Sequence, residues 1–221
     1  MSYIYAPGCA LLSYKPELAE KLKTVITSIY GPMETLLPCC FHAPQIESGT
    51  QIITPCATCS EKYDKQCGEG TSIFFLTQLA ESKDFPFPDY GGISMSIQDT
   101  CSARKQPEVL ATIRRLLERM NIQLIEPART GEKAKCCGQT LYGKIDTQKV
   151  EAFMKGRADE MPCEDVVVYC ASCIMSMNVG GKRPRYIIDL LFNEPTNMQT
   201  KGADAWNKKL NDFRKAHQSN K

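Results

Sequence analysis

Lys135-Cys136-Cys137-Gly138, preceded by Cys101 and followed by Cys170-Ala171-Ser172-Cys173, is the stretch around which the chain is built. A single cysteine, an adjacent doublet and a CxxC pair put five sulfurs into one segment. The same set occurs earlier, as Cys9, Cys39-Cys40 and Cys56-Ala57-Thr58-Cys59. Ten of the twelve cysteines thus form two equivalent groups, and Cys67 and Cys163 read as free thiols outside them.

The flanking sequence repeats as well. Shifted by 91 positions, Pro16-Glu17 fall on Pro107-Glu108, and Leu18, Leu22, Val25 and Ile29 fall on Val109, Ile113, Leu116 and Met120. Each set lies on one face of a helix that has proline near its first position. The match is that of an internal repeat.

Short strands precede each cysteine site. Tyr3-Ile4-Tyr5-Ala6 leads to Cys9, Glu34-Thr35-Leu36-Leu37 to Cys39-Cys40, and Gln51-Ile52-Ile53-Thr54 to Cys56. In the second half Ile93 to Ile97 leads to Cys101, Gln123 to Glu126 to the Cys136 loop, and Asp165 to Tyr169 to Cys170. A helix from Thr147 to Glu160 separates the last two sites, and each CxxC is expected to open a helix. Ser72 to Leu79 and Arg185 to Leu191 are apolar and fit strand or helix equally.

Strands alternating with helices predict an α/β fold, two pseudo-repeated halves, each a small parallel layered sheet flanked by helices. The expected divisions are 1–90 for the first repeat, 91–193 for the second and 194–221 for a polar helical tail, with the turn-rich Phe85 to Gly92 as linker. In that tail Trp206, Leu210 and Phe213 share one face. If strand order brings the strand ends together, five sulfurs converge on one crevice at the carboxyl edge of each sheet.

The 221 residues carry a net charge of +2 with both signs interspersed, which argues against a nucleic-acid partner. The N-terminus has no basic, then apolar, leader pattern, and no run approaches the roughly 20 apolar residues of a spanning helix. A cytoplasmic protein with no membrane insertion is the expectation. In a reducing compartment cysteines serve metals or redox chemistry more often than structural disulfides.

One structural zinc takes four ligands, so five sulfurs per group exceed its need, whereas an iron-sulfur core has several metal corners to ligate. Gly138 would let the backbone approach a bulky inorganic core. Arg104, Lys133 and Lys135 could offset thiolate charge, or form a solvated basic surface. Gly180-Gly181-Lys182 is too short for a phosphate loop.

At these residues the chain resembles the cysteine-rich (CCG) domain family, typified by the disulfide-cleaving component of heterodisulfide reductase. Cys101, Cys136-Cys137-Gly138 and Cys170/Cys173 follow the family signature, with 34 residues between the first two sites and 32 between the last two. The resemblance implies two iron-sulfur clusters of the noncubane 4Fe-4S type, held by Cys9, Cys39, Cys40, Cys56, Cys59, Cys101, Cys136, Cys137, Cys170 and Cys173. It implies an oxidoreductase subunit that reduces a small disulfide, or oxidises thiols, at those clusters. Electrons would come from a flavin or ferredoxin-like iron-sulfur subunit, since the chain has neither a dinucleotide fingerprint nor a ferredoxin-type cysteine run. The first half departs from the signature: Phe41 replaces glycine, and only 15 residues separate Cys40 from Cys56. That site could hold an altered cluster, a cubane or zinc, with His42 a ligand or proton donor. A non-catalytic relay or redox-sensing subunit of a larger dehydrogenase complex, and a zinc-binding interaction module, are the alternatives.

Overall fold

The computed structural model describes residues 2–37, 40, 42, 44–68 and 70–217. Its elements are β1 (Ser2–Tyr5), α1 (Cys9–Tyr14), α2 (Pro16–Tyr30), β2 (Glu34–Thr35), β3 (Thr50–Thr54), α3 (Ala57–Cys67), β4 (Ser72–Phe74) and α4 (Phe75–Glu81). They continue with β5 (Ser94–Gln98), α5 (Pro107–Arg119), β6 (Gln123–Leu124), α6 (Thr147–Ala158), β7 (Asp165–Val168), α7 (Ala171–Val179), β8 (Arg183–Tyr186), α8 (Ile187–Leu191) and α9 (Gly202–Ala216).

The strands form two four-stranded, all-parallel sheets, ordered β2-β1-β3-β4 and β6-β5-β7-β8. With β5 equivalent to β1, the two orders are the same. In each, strand order reverses beside the first strand of the half, the topological position at which open α/β sheets bind ligands. The chain divides into two compact units, 1–78 with 208–221, and 79–207. The linker from Phe85 to Gly92 lies in the second unit.

Each half is built for local reasons. Pro16 and Pro107 begin α2 and α5, where a missing N–H costs nothing, and Glu17 and Glu108 complement the positive helix start. In α5 the expected stripe is buried: Val109, Ile113, Leu116 and Met120, joined by Leu110 and Leu117. Each such side chain, fully buried, favours folding by about 1.5–3 kcal/mol. The stripe of α2 differs from expectation. Leu18, Ala19, Leu22 and Ile26 are buried, whereas Ile29 is 52% exposed and Val25 only half-buried. At 100° per residue the 18/22/26 row keeps to one side, and the helix meets its sheet along that row.

The ambiguous apolar segments prove to be two elements each. Ser72–Phe74 is a strand that runs directly into α4, and Arg183–Tyr186 is a strand that runs into α8. The valines of β7 are fully buried, as suits a strand covered on both faces. Cys9 opens a six-residue helix, α1, that the sequence pattern does not announce.

Asp99 ties the second half together. Its buried carboxylate takes both Arg114 amino groups (Nη1 at 3.2 Å, Nη2 at 2.8 Å), the Gly131 N–H at 2.7 Å, the Thr130 hydroxyl at 2.9 Å and the Tyr169 hydroxyl at 2.9 Å. These join the end of β5, helix α5, the loop at 130–131 and the end of β7. Burial alone would raise the Asp99 pKa, and Arg114, Gly131 and Tyr169 together more than offset it, leaving the carboxyl below its usual range. The folded-state value lies below the unfolded one, so the stabilisation is complete above about pH 4 and lost as pH falls through the folded value. Acid titration of unfolding is therefore expected to show stability falling below about pH 4 in the native chain. Asp99→Asn should start from lower stability at neutral pH and show a shallower acid decline.

Helices α6 and α7 approach closely. A Cβ on Gly180, which caps α7, would lie 2.3 Å from Ala158 Cβ and 3.1 Å from the Met154 carbonyl oxygen. Neither neighbour is the end of a flexible side chain. Gly180→Ala is expected to cost about 1–3 kcal/mol by overpacking, read as a lowered denaturation midpoint at unchanged m-value.

Candidate functional site

In the second unit the three loops leaving β5, β6 and β7 carry Cys101, Cys136-Cys137 and Cys170/Cys173 to one place. Each sulfur perturbs the next along the series Cys101, Cys136, Cys137, Cys173 and Cys170. The Cys173 thiol donates to Cys137 Sγ over 3.2 Å. Cys137 and Cys173 are buried, while Cys101, Cys136 and Cys170 are half-buried.

Local backbone structure explains each placement. Cys101 begins a turn of 3-10 helix, and Cys170 caps α7 with Cys173 in its first turn. Thiolates there face unpaired N–H groups and the positive end of the helix dipole. Gly138 has φ 103°, a left-handed conformation that favours glycine, and its N–H lies 3.4 Å from Cys136 Sγ. A Cβ at this glycine would come within 2.7 Å of Met154 Cγ and 3.5 Å of the Met154 backbone nitrogen. The glycine thus serves the loop turn and its seat on α6.

The loop is also held from behind by a buried polar relay. Gln98 donates to the Lys135 carbonyl at 3.0 Å, and its own carbonyl accepts the Arg157 Nε–H at 2.6 Å. Arg157 is only 2% exposed and also binds Glu160 and the Arg129 carbonyl. Lys135, one of the suggested charge-offsetting residues, pairs with Glu160 at 2.9 Å.

The five thiols cannot all ionise in contact, and their proton affinities split accordingly. Contacts from Cys101 and Cys137, against burial and with help from Thr140, hold Cys136 far below the ordinary thiol value; Thr140 Oγ1 is 3.0 Å away. Cys170 is lowered to about 7, chiefly by the Cys173 thiol, against burial and with the Cys173 and Ser172 N–H groups and Thr100. The Cys136 contact, partly countered by Cys173, pushes Cys137 up to about 12. Cys101 is raised strongly by Cys136 and by burial, and Cys173 by Cys137 and Cys170. In the metal-free chain the shifts thus favour ionisation at Cys136 and Cys170 and oppose it at Cys101, Cys137 and Cys173.

In the first unit Cys9, Cys40 and Cys59 share one buried cluster with Ala6, Ile52 and Tyr63, against which Cys56 and Cys67 pack. Cys59 contacts Cys40 first and then Cys56, and these contacts raise its pKa. Cys56 caps α3 as Cys170 caps α7. Gly8, φ 86°, passes so near that a Cβ would lie 3.2 Å from Cys59 Sγ. Cys39 and Phe41 lie outside the described residues, so their expected roles have no structural counterpart here. His42 is exposed. Between β2 and β3 no helix occurs among the described residues, as the 15-residue gap requires. Cys67, in sequence a stray thiol, packs against the sulfur-bearing cluster, and burial followed by Asp64 raises its pKa. Cys163 serves the backbone, its N–H donating to Ser96 and its carbonyl accepting from Lys182.

Three contributors are not singled out from the sequence, and two of them carry no mark in it. Thr100 and Thr140 are hydroxyls with no distinguishing pattern. Arg157 is detectable in principle, since it shares the buried face of α6 with Val150 and Met154.

The donor set fits a bound inorganic core: five thiols gathered from three loops, with N–H and O–H donors beside the sulfurs. Among the described residues no group of three or more His, Cys, Asp or Glu is set out around a single-ion position. No helix among them is long and apolar enough to cross a membrane. Residues 95–178 match the family model of the CCG cysteine-rich domain, a span that contains all five sulfurs of the second site. No curated protein matches the chain. Gly138→Ala is expected to lower stability by about 1–3 kcal/mol, the sum of left-handed strain and overpacking, measured by chemical denaturation of the reduced, metal-free chain.

Proposed function

From the premise of a CCG cysteine-rich domain at residues 95–178, we propose that the chain is the iron-sulfur subunit of a thiol/disulfide oxidoreductase. It works at noncubane 4Fe-4S clusters, one in each cysteine group. The observation that carries this reading is the gathering of five sulfurs, delivered by three loops to one sheet edge, with Cys173 and Cys137 in direct contact and each sulfur perturbing its neighbours. When bound, the inorganic core supplies one-electron chemistry next to sulfur.

The chain's own residues do the rest. Cys136 and Cys170 offer thiolate ligands near neutrality, stabilised by Thr140, Thr100 and the first N–H groups of α7. Cys101, Cys137 and Cys173 give up their protons on loading, so uptake releases protons and weakens in acid. The half-buried Cys101, Cys136 and Cys170 form the side open to a small thiol or disulfide, while Cys137 and Cys173 close the back. Electrons come from a flavin or ferredoxin-like partner subunit. An electron-relay role is the second reading, and it is favoured at the first group, where Cys9 is buried although its counterpart Cys101 is half-buried.

Anaerobically purified protein is expected to contain iron and acid-labile sulfide, with little zinc. Its oxidised form should give an electron paramagnetic resonance (EPR) signal that changes when a thiol substrate is added. Cys137→Ser should abolish the second site's signal and the activity together. Colourless protein lacking iron and sulfide, or zinc in their place, would overturn the proposal. A cluster signal indifferent to thiols and disulfides would leave the relay reading.

A further inference from the structure

The polar C-terminal helix does something its composition does not announce. Trp206 on α9 is fully buried, and its indole N–H donates to Ser172 Oγ at 3.1 Å, inside the Cys170/Cys173 pair. One residue on, Asn207 Oδ1 accepts from Gln139 Nε2 at 2.6 Å, immediately after Gly138, and its amide is anchored to the Ala203 carbonyl at 2.8 Å. Asp204 accepts from Tyr142 at 2.7 Å and Thr147 at 3.1 Å. The first turn is seated by Ala203 N–H on Glu151 Oε1 at 3.0 Å. Four residues of α9 thus grip the two cysteine-bearing loops and their flanks: three hold the segment from 139 to 151, and Trp206 holds the CxxC loop.

We propose that the N-terminal part of α9 is a clamp that holds the two cysteine loops of the second site in register, with Trp206 and Asn207 as its positioning residues. The inference rests on the iron-sulfur reading above for its consequence, but the geometry stands without any bound group. Cys136 and Cys137 lie outside regular structure, between short 3-10 turns, and Cys170 precedes α7, whose first turn carries Ser172 and Cys173. A sulfur displaced by a fraction of an ångström changes both its contacts and the ligand geometry it presents. A rigid helix bonded to both loops limits that displacement.

The test uses Trp206→Phe, which keeps the aromatic bulk and removes the N–H, and Ser172→Ala, which removes the acceptor. In the reduced, metal-free full-length chain, alkylation of Cys173 and Cys137 is followed by mass spectrometry. Each variant should speed it about fivefold, the factor equivalent to ~1 kcal/mol, one neutral hydrogen bond. The double variant should be no faster than either single, because both remove one contact. In the anaerobic, loaded protein the same variants should release iron to a chelator faster and alter the second site's EPR line shape. Lys209→Ala, on the exposed face of α9, should match the native chain throughout.

Native rates and line shape in both single variants, or additive effects in the double, would overturn the clamp. Should Trp206→Phe fail to fold, Ser172→Ala and Gln139→Ala carry the same readouts. If the native chain holds no iron or sulfide yet the alkylation pattern appears, the clamp stands and the iron-sulfur reading falls.

Discussion

Crowding of sulfur is the constraint on which the second half of this protein depends. Five thiols gathered at one sheet edge cannot all be charged, because each thiolate raises the cost of ionising its neighbours. The fold answers by dividing the proton affinities: Cys136 and Cys170 are lowered, while Cys101, Cys137 and Cys173 are raised. Backbone N–H groups at the start of α7 and the hydroxyls of Thr100 and Thr140 add stabilisation that sulfur alone does not provide. Such an arrangement suits a site that is to lose its protons to an inorganic core.

The surrounding architecture keeps these sulfurs from spreading apart. Asp99, two residues before Cys101, and Tyr169, one before Cys170, are bonded to each other, so β5 and β7 deliver their cysteines from a shared anchor. The Gln98–Arg157 relay fixes the carbonyl of Lys135 on the third loop. A buried guanidinium is costly unless its donors are matched, and here Gln98, Glu160 and the Arg129 carbonyl match them. Breaking one member would leave the others unpaired in the interior, which is why such a relay fixes a loop more firmly than its separate bonds suggest.

Much of this is legible in the residues. The 91-position repeat correctly places α2 and α5, and the spacing of cysteines after strands foreshadows the sheet edge. The valine run of β7 and the CxxC helix starts also follow from pattern alone. Strand order does not, since two of the strands have only two residues and depend on tertiary pairing. The buried face of α2 is misjudged from sequence because Val25 and Ile29 fit helical spacing as well as Ile26 does; only the sheet decides which row it meets. Hydroxyl donors such as Thr140, and the attachment of α9, stay hidden because a polar side chain reveals its partner only when distant segments meet. The shortened first half shows the same principle in reverse: 15 residues have no room for a counterpart of α6, and Cys9, Cys40 and Cys59 share a buried cluster with Tyr63 and Ile52.

Trp206 is the only tryptophan in the chain, and it is sealed from water against the CxxC loop. The molecule consequently carries its own fluorophore at the second cysteine site. Its emission arises from a single known position, so changes in intensity or wavelength map to that loop with no label attached. An absorbing inorganic centre nearby would quench it by energy transfer, making occupancy readable in real time from light the protein emits itself.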